Sequence, residues 1–231
     1  MTNAPGLVVA IDTASDVAGV ALCENAALLG EVTWQSHQSH SRQLLPALDW
    51  LLGHVGREKQ QIDAVCVCLG PGSYAGMRVG LSTAKAFAFG LGASLTGVGR
   101  LEAEALPIAE ATGGRVVPLQ AAGRAELAWA AYRAVEDVLQ EIEPPQLIKI
   151  ADLASVIQRG DAVTGDINRL DAATLEALVK QDVRLVPAAA SRVSSIAQLG
   201  FRRLARGEID NPDTLVPLYL RAPAIGPQPQ P

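Results

Sequence analysis

Aromatic residues are scarce: three Phe, three Trp and three Tyr make up 4% of a 231-residue chain that is 49% hydrophobic. A core with so few rings must be packed from Ala, Val, Leu and Ile, which suits close helix and strand contacts better than a ring-lined ligand cage. Cysteine is sparse too. Cys23, Cys66 and Cys68 are odd in number and lack CxxC spacing, which argues against a disulfide framework or a zinc site. Cys66 and Cys68 alternate along one run, so both fall on one face of a strand as core thiols.

Positive charge is in deficit, with Lys plus Arg at 19 against Asp plus Glu at 24 and a net charge of −5. Such a chain does not grip nucleic acid alone by neutralising phosphates. No stretch approaches the roughly 20 uncharged apolar residues of a membrane span. No basic segment precedes the first apolar run either, so the expected location is cytoplasmic. The motifs H-E-x-x-H, G-x-S-x-G and the P-loop lysine are all missing.

What is present has a regular order. Short apolar or β-rich runs at Leu7 to Asp12, Val17 to Glu24 and Ala27 to Gln35 predict an antiparallel meander. Helical spacing of Leu44, Leu45, Leu48, Leu51, Leu52 and Val55 then predicts a helix from Ser39 to Val55, with Pro46 tolerated in its first turns. A strand at Ala64 to Leu69 leads through Gly70-Pro71-Gly72 into a helix from Ser73, its cap, to about Gly90. Ser94 to Val98 reads as a strand and Glu102 to Ala111 as a helix.

This β-β-β-α-β-α-β-α string is that of the ribonuclease-H-like half of actin-type ATPases, so a second half should follow. Its candidates are strands at Val116 to Gln120, Leu127 to Val135, Ala162 to Gly165 and Val183 to Val186, with helices at Asp152 to Arg159, Thr174 to Lys180 and Ser194 to Arg206. Gly113-Gly114 reads as a hinge and Glu143-Pro144-Pro145 as a loop. The expected fold class is α/β, two ribonuclease-H-like (actin-type ATPase) lobes, each a mixed sheet with helices. Residues 1–110 form the first lobe and 111–192 a reduced second lobe. Residues 193–222 pack back on the first, and 223–231, with four prolines in nine residues, form a disordered tail.

Asp12-Thr13-Ala14-Ser15 ends the first strand with a carboxylate and two hydroxyls. In an actin-type ATPase that turn holds the metal and phosphates of ATP; an Asx or Ser turn fits the same residues. The facing turn, Ala121-Ala122-Gly123-Arg124, carries no carboxylate, so nucleotide binding through Asp12, Thr13 and Ser15 should be weak and hydrolysis absent. Gly70 to Ala75 matches the spacing of a dinucleotide fingerprint, but Pro71 removes a backbone donor, and a tight turn feeding a closely packed helix is favoured.

On that helix Gly76, Gly80, Ala84 and Ala88 form a ridge almost without side chains, which calls for close approach of another backbone inside the lobe or across a subunit boundary. Met77, Leu81, Lys85 and Phe89 form a second ridge, and Trp50 lies off the Leu face of the preceding helix. His37 and His40 lack a third ligand, so a solvated loop is expected and no metal. Arg202, Arg203 and Arg206 could meet RNA phosphates, or form a solvated helix face.

Four segments together resemble the TsaB family, also called YeaZ: Asp12 to Ser15, His40-Ser41-Arg42-Gln43-Leu44-Leu45-Pro46, Gly70 to Lys85, and Pro217-Leu218-Tyr219-Leu220-Arg221. The resemblance implies a non-catalytic platform subunit of the complex that transfers threonylcarbamoyl to the adenosine next to the anticodon of tRNA. The partners it implies are a homologous catalytic subunit, TsaD, which holds metal and ATP; an ATPase, TsaE; tRNA through the complex; and a homodimer in isolation. The docking surface would be the two helices of the first lobe, with Leu45, Trp50, Tyr74, Gly76, Met77, Gly80, Leu81, Ala84, Lys85 and Ala88 in the interface. No cofactor is expected to bind tightly beyond weak ATP or ADP with Mg at the partner interface. One departure stands out, since the family's Asp-Ala-Arg after the strand ending at Gln120 is here Ala121-Ala122-Gly123-Arg124. The alternative is an actin-like ATP-dependent phosphotransferase using Asp12; a metalloprotease is the weakest reading.

Overall fold

The computed structural model describes residues 6–37 and 39–221; the tail expected at 223–231 lies outside them. The first sheet has the order β3-β2-β1-β4-β5, from β1 (Leu7–Asp12), β2 (Val17–Glu24), β3 (Ala27–Gln35), β4 (Ile62–Gly70) and β5 (Ser94–Gly99). β1, β2 and β3 pair antiparallel, while β1, β4 and β5 run parallel. β1 is buried along its whole length because both sheet faces are covered, which is why it reads as an unbroken apolar run.

One face carries α1 (His40–His54) and α2 (Tyr74–Leu91) over Val9, Ile11, Val65 and Val67. The other carries α3 (Arg100–Thr112) and α5 (Val193–Ala205) over Val8, Ala10, Cys66 and Cys68. The three cysteines are free and buried. Burial pushes the Cys23 thiol up to about 11, so it stays protonated at neutral pH.

The second sheet has the order β10-β9-β6-β7-β8, from β6 (Arg115–Ala121), β7 (Glu126–Val135), β8 (Val138–Lys149), β9 (Ala162–Gly165) and β10 (Arg184–Leu185), with α4 (Ala172–Lys180) against it. The fold is thus α/β with two lobes, each a mixed sheet with helices. Three local expectations are corrected. Glu143-Pro144-Pro145 is no loop: it lies inside edge strand β8, where the register with β7 shifts and a missing N–H costs no ladder bond. Asp152 to Arg159 is a 3-10 turn over Ile150–Ser155, with Leu153 its one buried residue. Pro46 lies in the interior of α1 rather than its first turns, on the exposed side.

The small-residue ridge of α2 is sealed inside its own lobe. A Cβ on Gly76 would stand 2.0 Å from the Thr13 carbonyl oxygen, and one on Gly80 would stand 2.4 Å from Thr13 Oγ1. Ala84 and Ala88 are buried in the same core, as are Met77 and Leu81. Of the ten residues expected at a subunit interface, these six are internal. The approach of α2 to the turn after β1 needs the bare ridge, so the intramolecular option explains it.

Gly76→Ala therefore meets backbone, and overpacking of about 3 kcal/mol outweighs the ~1 kcal/mol gained in helix propensity. Gly53 in α1 faces open space, so Gly53→Ala should stabilise by about 0.5–1 kcal/mol. Urea unfolding of both variants checks the opposite signs.

Candidate functional site

The C-terminal ends of β1 and β6 face each other across a cleft of about 570 Å³ lined by Ser15, Gly72, Arg100, Glu104, Asp166 and Arg192, among others. Strand β1 delivers Asp12 to this point, and the turn beyond it is held by α2: Ser73 N–H donates to the Ala14 carbonyl at 2.7 Å, and Thr13 Oγ1 donates to the Gly76 carbonyl at 2.7 Å. Ser73 caps α2 as expected, its Oγ accepting from Gly76 N–H.

Asp12, Thr13 and Ser15 all sit at the cleft, but their polar atoms are committed. Asp12 Oδ1 accepts from Ala14 N–H at 2.9 Å, and Oδ2 takes the guanidinium of Arg192, with Nε at 3.1 Å and Nη2 at 3.0 Å. Ser15 Oγ accepts from Arg192 Nη2 at 2.6 Å and donates to the Val17 carbonyl at 2.9 Å. Arg192 immediately precedes α5, so its packing on the first sheet sets this geometry. Where an actin-type site needs Asp12 for a metal, the chain supplies its own buried cation.

A wider charge network surrounds the pair. Glu104 Oε2 lies 4.0 Å from Arg192 Nη1 and 3.9 Å from Arg100 Nε. Burial pushes the Glu104 carboxyl up, against the two arginines. Burial also lowers the Arg100 guanidinium, with the Arg192 charge working in the same direction. For Arg192 burial pulls downward, yet Asp12 and Glu104 hold it above the ordinary arginine value. The turn after β6, read from sequence as lacking a carboxylate, receives one from elsewhere: Asp166, just beyond β9, accepts from Ala121 N–H at 2.7 Å. Sequence reading missed Arg100, Glu104, Asp166 and Arg192 because each reaches the cleft from a different element; only the buried charge on the apolar faces of α3 and α5 signalled them.

The other expected residues fall as follows. His40 is buried rather than in a solvated loop, next to Gly76, and its Nδ1 has no hydrogen-bond partner; His37 is exposed on the chain before it. Among the described residues no group of three or more His, Cys, Asp or Glu could hold a metal, and no helix is long and apolar enough to cross a membrane. Arg202, Arg203 and Arg206 do not offer free charge to RNA, because each is paired, with Glu110, Glu102 and Glu208 respectively, at 2.6 Å. Leu45, Trp50 and Tyr74 are exposed and Lys85 half-buried on the outer face of α1 and α2.

Two mixed sheets meeting at the ends of β1 and β6 define a two-lobed α/β protein of the actin-type class. The family described as "TsaD: tRNA N6-adenosine threonylcarbamoyltransferase" matches residues 27–222, so the chain belongs to that family, and within it to the TsaB (YeaZ) group. It is 28% identical over 158 residues to the Bacillus subtilis (strain 168) tRNA threonylcarbamoyladenosine biosynthesis protein TsaB, covering 67% of each chain. It is 34% identical over 122 residues to the Ralstonia pickettii (strain 12J) tRNA N6-adenosine threonylcarbamoyltransferase, 46% of this chain and 35% of that one. Its fold matches YeaZ from Pseudomonas aeruginosa with a TM-score of 0.76 at 22% identity, over 93% of this chain and 100% of that one.

Two predictions follow from the cleft. Arg192→Met strands Asp12 and Glu104 in the interior and should cost about 3–5 kcal/mol. Combined with Asp12→Asn, it should cost less than the sum of the two single changes, measured by denaturant unfolding. Burial lowers the His40 imidazole below its ordinary 6.5, against Asp16 and Asp12. The unfolded chain then binds the proton more readily, so stability is full above pH 6.5 and falls as pH drops through the folded-state value. His40→Gln should flatten that part of the stability–pH curve.

Proposed function

We propose that this chain is the non-catalytic platform subunit of tRNA threonylcarbamoyladenosine biosynthesis. Its role is to pair with the catalytic relative TsaD through the outer face of α1 and α2. The observation that carries the non-catalytic half is the buried Asp12–Arg192 pair. Phosphotransfer through Asp12, the competing reading, would first have to break that pair and leave two charges unpaired in the interior.

The pairing half rests on exposure. With the glycine ridge turned inward, the face left outward carries Trp50 at 60%, Phe89 at 65% and Leu45 at 44% exposed, with Arg78, Val79 and Ser82 between them. Large apolar and aromatic side chains on neighbouring helix faces are what subunit interfaces use as anchors. Trp50 is already ordered by stacking on His54, with centroids 5.1 Å apart, so little of its freedom remains to be lost on docking. The same face serves a homodimer when TsaD is absent. TsaE, tRNA and weak ATP or ADP with Mg join at the level of the complex.

Tagged protein should recover TsaD from a mixture of the two and form a 1:1 complex by light scattering. Trp50→Glu with Leu45→Asp, both exposed, should weaken that complex at least tenfold without lowering stability. Undiminished pairing by the double variant would contradict the assigned face.

A further inference from the structure

A second cavity lies between the lobes on the far side of Gly72 and Ala121 from the Asp12 cleft. It has a volume of about 440 Å³, within the range of small-molecule sites. Its walls are apolar, from Met77, Leu147, Leu218 and Leu220, and Tyr74 and Tyr219 stand together at it with ring centroids 5.0 Å apart. Two of the chain's three tyrosines are thus gathered at one opening.

The segment Leu218 to Arg221 forms one side of this cavity and spans the lobes. Leu218 N–H donates to the Leu69 carbonyl at 2.8 Å in the first lobe, and Arg221 pairs with Glu126 in the second. Gln120 also lines it; the residue is 7% exposed, and its Oε1 has no hydrogen-bond partner. The terminal amide torsion is broad and two-fold, so a half-turn presents oxygen or nitrogen to an occupant at little cost. The mouth is cationic. Arg169 Nη2 donates to the Gly123 carbonyl at 3.1 Å, Arg221 Nη1 lies 3.7 Å from where a Gly123 Cβ would be, and exposed Arg124 follows directly. Of these three arginines, Arg221 alone has a carboxylate partner.

We infer that this cavity binds a nucleoside phosphate unit, the base entering between the tyrosine pair and Gln120 and the phosphate meeting Arg221, Arg124 and Arg169. Aromatic faces accept any base by stacking, an amide reads a base edge, and arginines hold phosphate. The unit could be a free mononucleotide or part of single-stranded RNA. The inference does not depend on the pairing face proposed above.

The test is binding of 5′-AMP and of a short single-stranded adenine oligoribonucleotide to the full chain, followed by calorimetry. At least one probe should bind saturably. Tyr219→Leu, Gln120→Met and Arg221→Gln should each weaken it roughly tenfold, whereas Arg202→Gln, remote from the cavity, should not. Tighter binding of the oligomer identifies RNA as the source; binding of AMP alone identifies the free nucleotide. Should a variant fail to fold, photocrosslinking a 4-thiouridine oligonucleotide to the unaltered protein gives a second reading, expected on peptides containing Tyr74 or Tyr219. No saturable binding of either probe, binding indifferent to all three cavity variants, or crosslinks confined to the peptide carrying Asp12 would overturn the inference.

Discussion

The contact on which the structure turns is the guanidinium of Arg192 against the carboxylate of Asp12, 2% and 6% exposed at Asp12 and Arg192 respectively. Removing either charge alone would leave the other in a medium where solvation cannot replace it. The pair ties the start of α5 to the end of β1, and α5 in turn covers the sheet face that carries the three cysteines. The same contact uses the acidic group that a metal-dependent site would need, so its structural and functional consequences are inseparable.

Around it the chain is closed from the other side by α2. Because Gly76 and Gly80 let the helix rest on the Thr13 backbone, the turn after β1 is gripped between α2 and Arg192 with no freedom to reshape around a phosphate. Turning the bare ridge inward also decides what faces outward. Trp50, Leu45 and Phe89 remain outside because the buried positions of α1 and α2 are filled by leucines, glycines and alanines. A rigid internal turn and an unpaired apolar exterior are two results of one packing choice.

Much of this was legible in the sequence. The period-two and continuous apolar runs placed β1 to β5, and the leucine spacing placed α1, because local pattern and burial agree in the first lobe. The second lobe was less readable, since β8 carries two prolines and β10 is only two residues long, and edge positions obey the ladder weakly. Asp12 was legible as a strand-ending carboxylate, whereas its partner lies 180 residues away, and no local pattern encodes such a pairing. The glycine ridge was visible too, but spacing alone cannot say which backbone a bare helix face approaches. Tyr219 and Arg221 were noted for resemblance, and their meeting with Tyr74 and Glu126 across the lobes emerged only from the fold.

The most direct measurement is solvent exchange of the Arg192 Nε proton, followed by nitrogen-15 resolved NMR of the arginine side chains with and without magnesium and ATP. A buried ion pair that stands in for a bound metal predicts a slowly exchanging proton whose rate is unchanged by magnesium and ATP. A proton that exchanges as fast as those of exposed arginines, or that is released when magnesium and ATP are added, would show that Asp12 is free to take a metal and would contradict the account.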